Sequence, residues 1–280
     1  MSVDNFIPQL WSAEVFVANR KQQVYANITN RVYESQLAAG GDRVKINQIG
    51  AVSISDYDKN STTLTYDQLE SAAKYLPIDQ SKSFSIYIED IDKAQANVDL
   101  MTAASSEAAY GFSDVADQYI AGLYTGAGVF DGLGTTDTPI EINSDNVLEY
   151  MGEVSAALTE ANCEPDGRYM VIPAWFQLKL RLAKIPLEST TNAALIDGAV
   201  TRIMDFDIFV SNNVPTDGDA YKVTAGTLRA ITYAEQIADI EALRLIDKIG
   251  DGLRGQHVYG ALVERPANLA VLSCKAADES

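Results

Sequence analysis

Residues 92–124 decide the fold, and they read DKAQANVDLMTAASSEAAYGFSDVADQYIAGLY. Apolar residues recur here at steps of three and four, which is the spacing of one face of an α-helix. They are Val98, Met101, Ala104, Ala108, Phe112, Val115, Tyr119 and Leu123. A helix over the whole stretch would be about 50 Å long. We therefore predict a strut-like helix, in which Gly111 costs about 1 kcal/mol relative to alanine.

Two runs with the alternation of β-strands precede this helix. In RVKINQIG (43–50), Val44 and Ile46 alternate with polar residues, and the same period returns in KSFSIYIEDI (82–91). The stretch between the two runs is polar. We predict a long two-stranded hairpin with a solvated tip over 56–80, which is only marginally stable unless it rests on a neighbouring subunit.

The first forty residues carry a weaker helical pattern. Between residues 10 and 33, apolar residues recur at steps of seven, four and four, at Val17, Val24, Ile28 and Val32. The spacing predicts an amphipathic helix. Residues 1–9 are expected to form an extended arm before it.

The second half of the chain predicts a mixture of helices and strands. A helix that begins after a cap at Ser144 or Asp145 is expected to bury a stripe and to stop at the turn 165–167. The stripe consists of Val147, Met151, Val154, Leu158 and Ala161. RYMVI (168–172) predicts a buried strand, and the proline after it predicts a helix. The apolar residues of that helix are Trp175, Leu178 and Leu182.

The remaining segments, after Asp197, alternate between strands and turns. They are 199–215, 221–235 and 255–273. Neither a linker nor a repeat divides the chain, and the fold class is α+β.

Charge and composition exclude several classes of protein. The 280 residues contain 21 Lys and Arg against 39 Asp and Glu, a net charge of −18. Such a field repels phosphate backbones, so a basic nucleic-acid reader is excluded. The N-terminus has no export signal, and no apolar stretch reaches the roughly 20 residues that span a bilayer. We expect no contact with a membrane.

The residue types that carry chemistry are scarce. Cys163 and Cys274 are far apart and form no metal motif, so both are expected to be free thiols. The single histidine, His257, could act as a general base with Asp251 or Glu264 as its orienting carboxylate, but packing in an apolar strand is the simpler interpretation. We therefore predict no catalytic, cofactor-binding or metal site.

Several stretches together resemble the major capsid proteins of tailed bacteriophages with the Hong Kong 97 fold. They cover nearly the whole chain and occur in the family's order. The stretches are FIPQLWSAEVFVANRKQQVYANITNRVYE (6–34), GDRVKINQIGAVSISDY (41–57), DQSKSFSIYIEDIDKAQANVDLM (79–101), VADQYIAGLY (115–124), GRYMVIPAWF (167–176), FVSNNVP (209–215) and RLIDKIGDGLRGQHVYGALVERPANLAVL (244–272). One departure is Asp205, where the family usually has glycine, so a local turn is expected to differ.

The resemblance implies a division of the chain into four parts. Residues 1–40 would be the N-terminal arm, and residues 41–90 the extended hairpin called the E-loop. Residues 91–134 and 246–280 would form the peripheral domain, with the long helix as its spine, and residues 135–245 the axial domain. With only about 40 residues before the hairpin, a scaffolding segment is not expected within the chain.

The function that the resemblance implies is structural, not enzymatic. The protein would assemble in the host cytoplasm into pentamers and hexamers of an icosahedral virion shell. That shell would enclose double-stranded DNA without binding a particular sequence. Partners would be a separate scaffolding protein, a portal protein and, in some phages, decoration proteins. Two alternatives are an encapsulin-type nanocompartment and an acidic cytosolic hydrolase that uses His257.

Overall fold

The computed structural model describes residues 21, 23–34, 43–49, 54, 71–89, 100–183, 202–245 and 249–277. The predicted arm at 1–9 and most of the predicted hairpin tip lie outside these residues. Three α-helices are described. They are α1 (Leu100–Gly122), α2 (Val147–Glu160) and α3 (Ala174–Leu182).

Twelve strands are described, and they form three sheets. In chain order they are β1 (Arg43–Ile49), β2 (Ser71–Pro77), β3 (Gln80–Glu89), β4 (Ile140–Ile142), β5 (Arg168–Ile172), β6 (Arg202–Ile203), β7 (Phe206–Val210), β8 (Thr216–Asp217), β9 (Ala220–Thr227), β10 (Ile231–Arg244), β11 (Gly250–Val263) and β12 (Leu269–Ala276). The mixture of helices and strands confirms the predicted α+β class.

The largest sheet has seven strands in the order β4-β12-β9-β5-β7-β6, with β8 paired to β9. Side chains alternate along β5, so Met170 and Ile172 face one side and Tyr169 and Val171 the other. The first side packs against α2 and α3. The second packs against α1 and the arm residues 24–28. The sheet is therefore covered on both faces, and all five residues of β5 are buried, as predicted.

The second sheet is long and has three strands in the order β10-β11-β3, all antiparallel. Strands β10 and β11 have fourteen residues each. Their register is interrupted once, between Glu235 and Ile237. This sheet lies beside α1. Phe84 of β3 packs edge-on against Phe112 of α1, at 5.2 Å between ring centroids.

The predicted pairing of the two alternating runs was wrong. Both runs are strands, β1 and β3, but β1 pairs with β2 and β3 pairs with β11. Strand β2, which the sequence pattern missed, ends only two residues before β3 begins. Alternation determines which face of a strand is buried but not which strand lies beside it, so the pattern could not choose between these partners.

The long helix is confirmed over 100–122, about 35 Å at the helical rise, and it continues through Gly111 without interruption. Its predicted start near Asp92 lies outside the described residues. The predicted stripe was partly wrong: Val115 is exposed, while Ala116, Asp117 and Ile120 are buried. The buried face lies one position further along because α1 packs on the arm as well as on the sheets.

The predicted helix over 10–33 is wrong for the residues that the structure describes. Only a four-residue 3-10 helix, Tyr25–Ile28, is present, and Thr29 after it is extended. Val24 and Ile28 are buried as the pattern suggested. Short 3-10 turns are common as connectors, and Val24, Tyr25 and Ile28 pack this one into a buried cluster.

Two details of the α2 and α3 region also differ from the sequence analysis. Neither Ser144 nor Asp145 caps α2; the side chain of Asn143 accepts the N–H groups of Asp145 and Asn146, at 2.9 and 2.8 Å. On α3 the buried side chains are Phe176, Lys179 and Leu180. The predicted Leu178 and Leu182 are more than half exposed, at 55% and 52%.

Candidate assembly surfaces

The arm is held to the body by one buried carboxylate, Asp117 of α1. Its Oδ1 accepts the backbone N–H groups of Val24, Tyr25 and Ala26 at 3.0, 2.7 and 3.4 Å. Its Oδ2 accepts Nδ2 of Asn213 at 3.0 Å, which ties in the loop after β7. The carboxylate therefore caps the 3-10 helix in the way that an N-cap side chain does, although it comes from another element.

Asp117 is fully buried, and this burial raises the pKa of its carboxyl against the opposing effect of these hydrogen bonds. Sequence reasoning did not single out Asp117. The available signal was an acidic residue inside VADQYIAGLY, on a face of α1 that is otherwise apolar. A carboxylate at such a position needs donors from another segment.

A second contact, at the surface, holds the end of the arm. Arg31 donates to Glu34 at 3.0 and 2.7 Å and also to Glu235 of β10. The Glu235 carboxyl has its pKa lowered to about 2, firstly by a hydrogen bond with His257 and further by Arg31 and Tyr233. Glu235 is thus an anion at neutral pH, and its carboxylate bonds both Arg31 of the arm and His257 of β11.

His257 is a packing residue in this arrangement. Its ring lies 4.8 Å from the Tyr259 ring and 5.6 Å from the Phe112 ring, and the residue is buried. Nε2 lies 3.1 Å from Glu235, and it is the donor because an ionised carboxylate only accepts. Both predicted orienting carboxylates were wrong. They are engaged elsewhere, Asp251 with Arg244 at 3.3 Å and Glu264 with Thr232 at 2.6 Å.

The β1–β2 pair rests on the long sheet at its base. Val44, Ile46 and Leu76 form a small buried cluster with Ala234 of β10. Lys74 also donates to the carbonyl oxygen of Glu264, at 2.6 Å. The hairpin is thus supported at its base by its own chain, and we still predict support for its tip from a neighbouring subunit.

Gly260 of β11 allows the end of β2 to lie close to the β11 backbone. A Cβ there would overlap the carbonyl oxygen of Pro77, because the end of β2 passes directly over the β11 backbone. Replacing Gly260 by alanine is expected to lower the free energy of unfolding by about 1–3 kcal/mol, since two backbones must move apart. Urea unfolding measures the loss, and hydrogen exchange should quicken selectively over 71–77.

Gly111→Ala is the matched control for this prediction. A Cβ at Gly111 would meet no other heavy atom within 4 Å. In the interior of a helix the alanine is expected to stabilise by about 0.5–1 kcal/mol. Equal unfolding midpoints for the two variants would contradict the close approach at Gly260.

Arg168 anchors α2 to the large sheet. Its side chain is fully buried, and its guanidinium donates to the carbonyl oxygens of Ser155, Cys163 and Glu164 at 3.1, 2.6 and 2.9 Å. Further donations reach the hydroxyls of Ser155 and Thr159. Three of its five contacts thus satisfy carbonyl oxygens in the last turns of α2 and the loop after it.

Asp205, the departure from the family pattern, lies beside this site. Its Oδ2 accepts the Ser155 hydroxyl at 2.8 Å and lies 4.0 Å from Arg168. The residue with positive φ in the β6–β7 turn is Met204, at 52°, rather than Asp205. Asp205 therefore has ordinary backbone geometry, and its carboxylate partly balances the buried guanidinium.

Two long strand edges are left open by the described part of the chain. Strand β10 is bonded on its outer side only to Asn30, which accepts from Tyr233 and donates to Ile231. Strand β3 has β11 on one side and, among the described residues, no strand on the other. Open edges of this length favour pairing or covering by another chain.

Several large apolar side chains are also exposed. They are Val32, Ile54, Tyr75, Ile86, Val115, Phe130, Leu178, Leu182, Met204, Leu228 and Ile249. They are spread over the arm, the hairpin, both ends of the long sheet and the helices, so they do not outline one enclosed pocket. Such a distribution is typical of a subunit that contacts neighbours on several sides.

Within the described ranges, no group of three or more His, Cys, Asp or Glu residues could hold a metal ion. Both cysteines are buried and free, and burial raises the pKa of the Cys274 thiol to about 12. No helix in the same ranges is long and apolar enough to cross a membrane.

Comparison with known proteins decides the family. A family model described as phage capsid protein matches residues 73–272. The chain belongs to the phage capsid protein family. No curated protein sequence matches it. The resemblance found in the sequence is thereby confirmed.

Solved structures agree with this assignment to the capsid family. A structure from Mycobacterium phage Che8 is 30% identical, covers 96% of this chain and 98% of its own, and has a TM-score of 0.80. The capsid of Cyanophage P-SCSP1u is 16% identical over 99% of this chain and 95% of its own, with a TM-score of 0.76. The capsid of Ralstonia phage GP4 is 14% identical over 99% and 98%, with a TM-score of 0.71.

The last two similarities concern the fold alone, which is Hong Kong 97-like. The family match and the 30% identical structure establish a major capsid protein located in the virion capsid. The encapsulin and hydrolase alternatives are not favoured, because both the family model and the 30% identical structure are from phages.

Proposed function

We propose that this capsid protein assembles into pentamers and hexamers that close into an icosahedral shell around double-stranded DNA. The observation that carries the proposal is the pair of strand edges on β3 and β10 that no strand covers within the described ranges. On β10, a strand of fourteen residues, only Ile231 and Tyr233 are bonded at this edge, both to Asn30. In an isolated chain such edges expose unpaired N–H and C=O groups, and contacts between copies cover them. Capsid assembly provides those contacts.

Closed symmetry follows from the same surfaces. A contact between two different patches of identical subunits produces a ring if the rotation closes and a filament if it does not. Each subunit has exposed apolar residues on several sides, so many weak contacts act at once. Their joint engagement makes a shell stable without any single strong interface.

The acidic composition suits a container for DNA. With a net charge of −18 the protein does not neutralise phosphates, so the favourable release of counterions that drives nucleic-acid binding is withheld. The genome can be enclosed and still remain free to leave. A role of the charge in solubility alone predicts the same absence of DNA binding, but it predicts no assembly into shells.

We further propose the domain division 1–40, 41–90, 91–134 with 246–280, and 135–245 as arm, E-loop, peripheral domain and axial domain. The β1–β2 pair supports an E-loop that begins at its base, and α1 supports a spine. Strands β10 and β11 pair across the 245/246 boundary, and β12 pairs with β4 and β9, so the two domains share both the long sheet and the large sheet.

The proposed partners are a separate scaffolding protein, a portal protein and, where the phage has them, decoration proteins. The protein is proposed to be structural and not an enzyme. In support, the ring of His257 is buried against the rings of Tyr259 and Phe112, where a substrate does not reach it. Assembly takes place in the host cytoplasm before the DNA enters.

Sedimentation of the protein coexpressed with the scaffolding protein of its phage tests the proposal. We expect particles far larger than any ordinary oligomer, and no retention of short duplex DNA by the unassembled protein at low salt. A monomer or dimer at concentrations well above micromolar would contradict the proposal, as would DNA binding that weakens steeply with salt.

A further inference from the structure

A groove lies between the end of the arm and two turns of the body. It has a volume of about 380 Å³, and its lining comes from residues 29–33, 228–229 and 264–265. Two apolar residues of the lining are exposed, Val32 by 72% and Leu228 by 50%. We refer to this groove as the arm groove. Its apolar surface favours a partner that removes it from water.

The arm groove is also basic, although the whole protein has a net charge of −18. Arg265 is exposed, and no ion pair in the described ranges includes it. Arg229 is mostly exposed and lies 3.7 Å from Glu164, a surface pair that contributes little and can exchange partners. Arg31 is already bonded to two glutamates, and the lining carboxylate of Glu264 is buried and accepts a hydroxyl of its own chain. Arg229 and Arg265 therefore remain to bind carboxylates from outside the chain.

The stretch between β1 and β2 has the opposite charge. Residues 50–70, which we call the β1–β2 connection, contain four acidic residues and one lysine. Ile54 is the residue of this connection that the structure describes, and it is 95% exposed. Ile54, Asp56 and Asp58 follow each other at steps of two, and residues at this spacing share one face of an extended segment. The connection thus combines an apolar residue with two carboxylates, which is the chemistry that the arm groove fits.

The two surfaces do not cover each other within one copy. Ile54 is exposed, and so are Val32 and Leu228, so Ile54 does not lie in the groove of its own chain. A ring of identical subunits needs two unlike patches on each copy, because its contacts are head-to-tail. The groove and the connection are such a pair, since each copy can place its connection on one neighbour and receive that of the other.

We propose that the β1–β2 connection of one copy lies in the arm groove of the next copy in the ring. This inference rests on the proposed function and names the surfaces that its rings use. Ile54 packs against the apolar residues of the groove, and the carboxylates of Asp56 and Asp58 pair with Arg265 and Arg229. The occupant of the groove is therefore a second copy of this chain, and a scaffolding protein in that place is the competing outcome of the test.

Chemical cross-linking of assembled shells tests which copy occupies the groove. In the double variant Ile54→Cys, Leu228→Cys, a short bis-maleimide is expected to join neighbours, so that a denaturing gel shows bands up to five and six copies. Cys163 and Cys274 are buried and are not expected to react. The matched control is Ile54→Cys with Leu178→Cys, because Leu178 is 55% exposed but lies outside the groove. This control is expected to give no ladder.

Reversal of one charge tests the chemistry of the same contact. Arg265→Glu is expected to lower the shell yield about tenfold or more, because it sets a carboxylate against the acidic connection. Adding Asp56→Arg to that variant is expected to restore at least half of the lost yield. Because Arg265 is exposed, the unassembled variant is expected to unfold within a few degrees of the wild type.

The outcomes separate this contact from the proposed function. Shells without a ladder, a cross-link within one chain, or no rescue by Asp56→Arg would overturn the contact and leave the shell itself standing. Protection of the thiol introduced at position 228 by the scaffolding protein, before shells form, would also overturn it and place that protein in the groove. A wild type that forms no shells would instead overturn the proposed function and this inference together.

Discussion

Replacing Asp117 by alanine is expected to lower the free energy of unfolding by about 4 kcal/mol and to release the arm. The variant leaves the N–H groups of Val24, Tyr25 and Ala26 without their acceptor in a buried place, and an unsatisfied buried group costs about 1–3 kcal/mol. Urea unfolding of the unassembled protein measures the loss. Trypsin should also cleave after Lys21 and Arg31 much faster than in the wild type.

Asp114→Ala is the matched control for the arm. Asp114 lies one turn earlier on α1. It accepts the side chains of Asn213 and Gln118 and lies 3.7 Å from Nζ of Lys21, but it accepts no backbone group of the arm. We expect a loss of at most about 1 kcal/mol and normal resistance to trypsin after Arg31. Asp117→Asn keeps an acceptor and should lie between the two. The same trypsin resistance in Asp117→Ala and Asp114→Ala would contradict the anchoring role.

Replacing Arg168 by alanine is expected to cost about 4 kcal/mol as well, through α2 rather than through the arm. The change removes five hydrogen bonds in a fully buried site. It leaves the carbonyl oxygen of Cys163 without a donor and that of Glu164 with only the weak thiol donor of Cys163. It also leaves a cavity between α2 and β5. The loss is measured by urea unfolding, and helix α2 should exchange its amide hydrogens faster than α1.

Arg229→Ala provides the comparison for Arg168. Arg229 is mostly exposed and lies 3.7 Å from Glu164, so its loss is expected to cost less than about 1 kcal/mol. Arg168→Lys keeps the charge but not the planar fork of donors, and it is expected to lose a large part of the stability. If the Arg168→Ala variant had the same free energy of unfolding as the Arg229→Ala variant, this would show that the guanidinium does not hold α2.

The sequence correctly predicted whether a segment forms a helix or a strand where the spacing of its apolar residues was clear. The buried strand at 168–172, the helices over 147–160 and 174–182, and the alternating strands β1 and β3 are all present. Strand partners were not predicted correctly, because alternation does not define which strand is adjacent. The base of the hairpin depends on Gly260, whose role becomes visible only when β2 and β11 are seen together.

Hydrophobic spacing failed on two helices, for a different physical reason on each. It shows that one face of a helix is apolar but not whether the chain itself covers that face. On α3 it assigned Leu178 and Leu182 to the core, whereas Lys179 is buried there with its Nζ 3.4 Å from the carbonyl oxygen of Ala277. On α1 it left out Asp117, because a buried carboxylate is recognised only through the donors that another segment supplies.

The central claim is that the open edges and exposed apolar faces of one chain are covered by other copies in a closed shell. Electron cryomicroscopy of particles purified with the scaffolding protein tests it most directly. We predict closed icosahedral shells in which five-fold and six-fold rings of this chain are resolved, with neighbouring copies against β3 and β10. Open tubes, two-fold dimers, or rings in which β3 and β10 face only solvent would contradict the account.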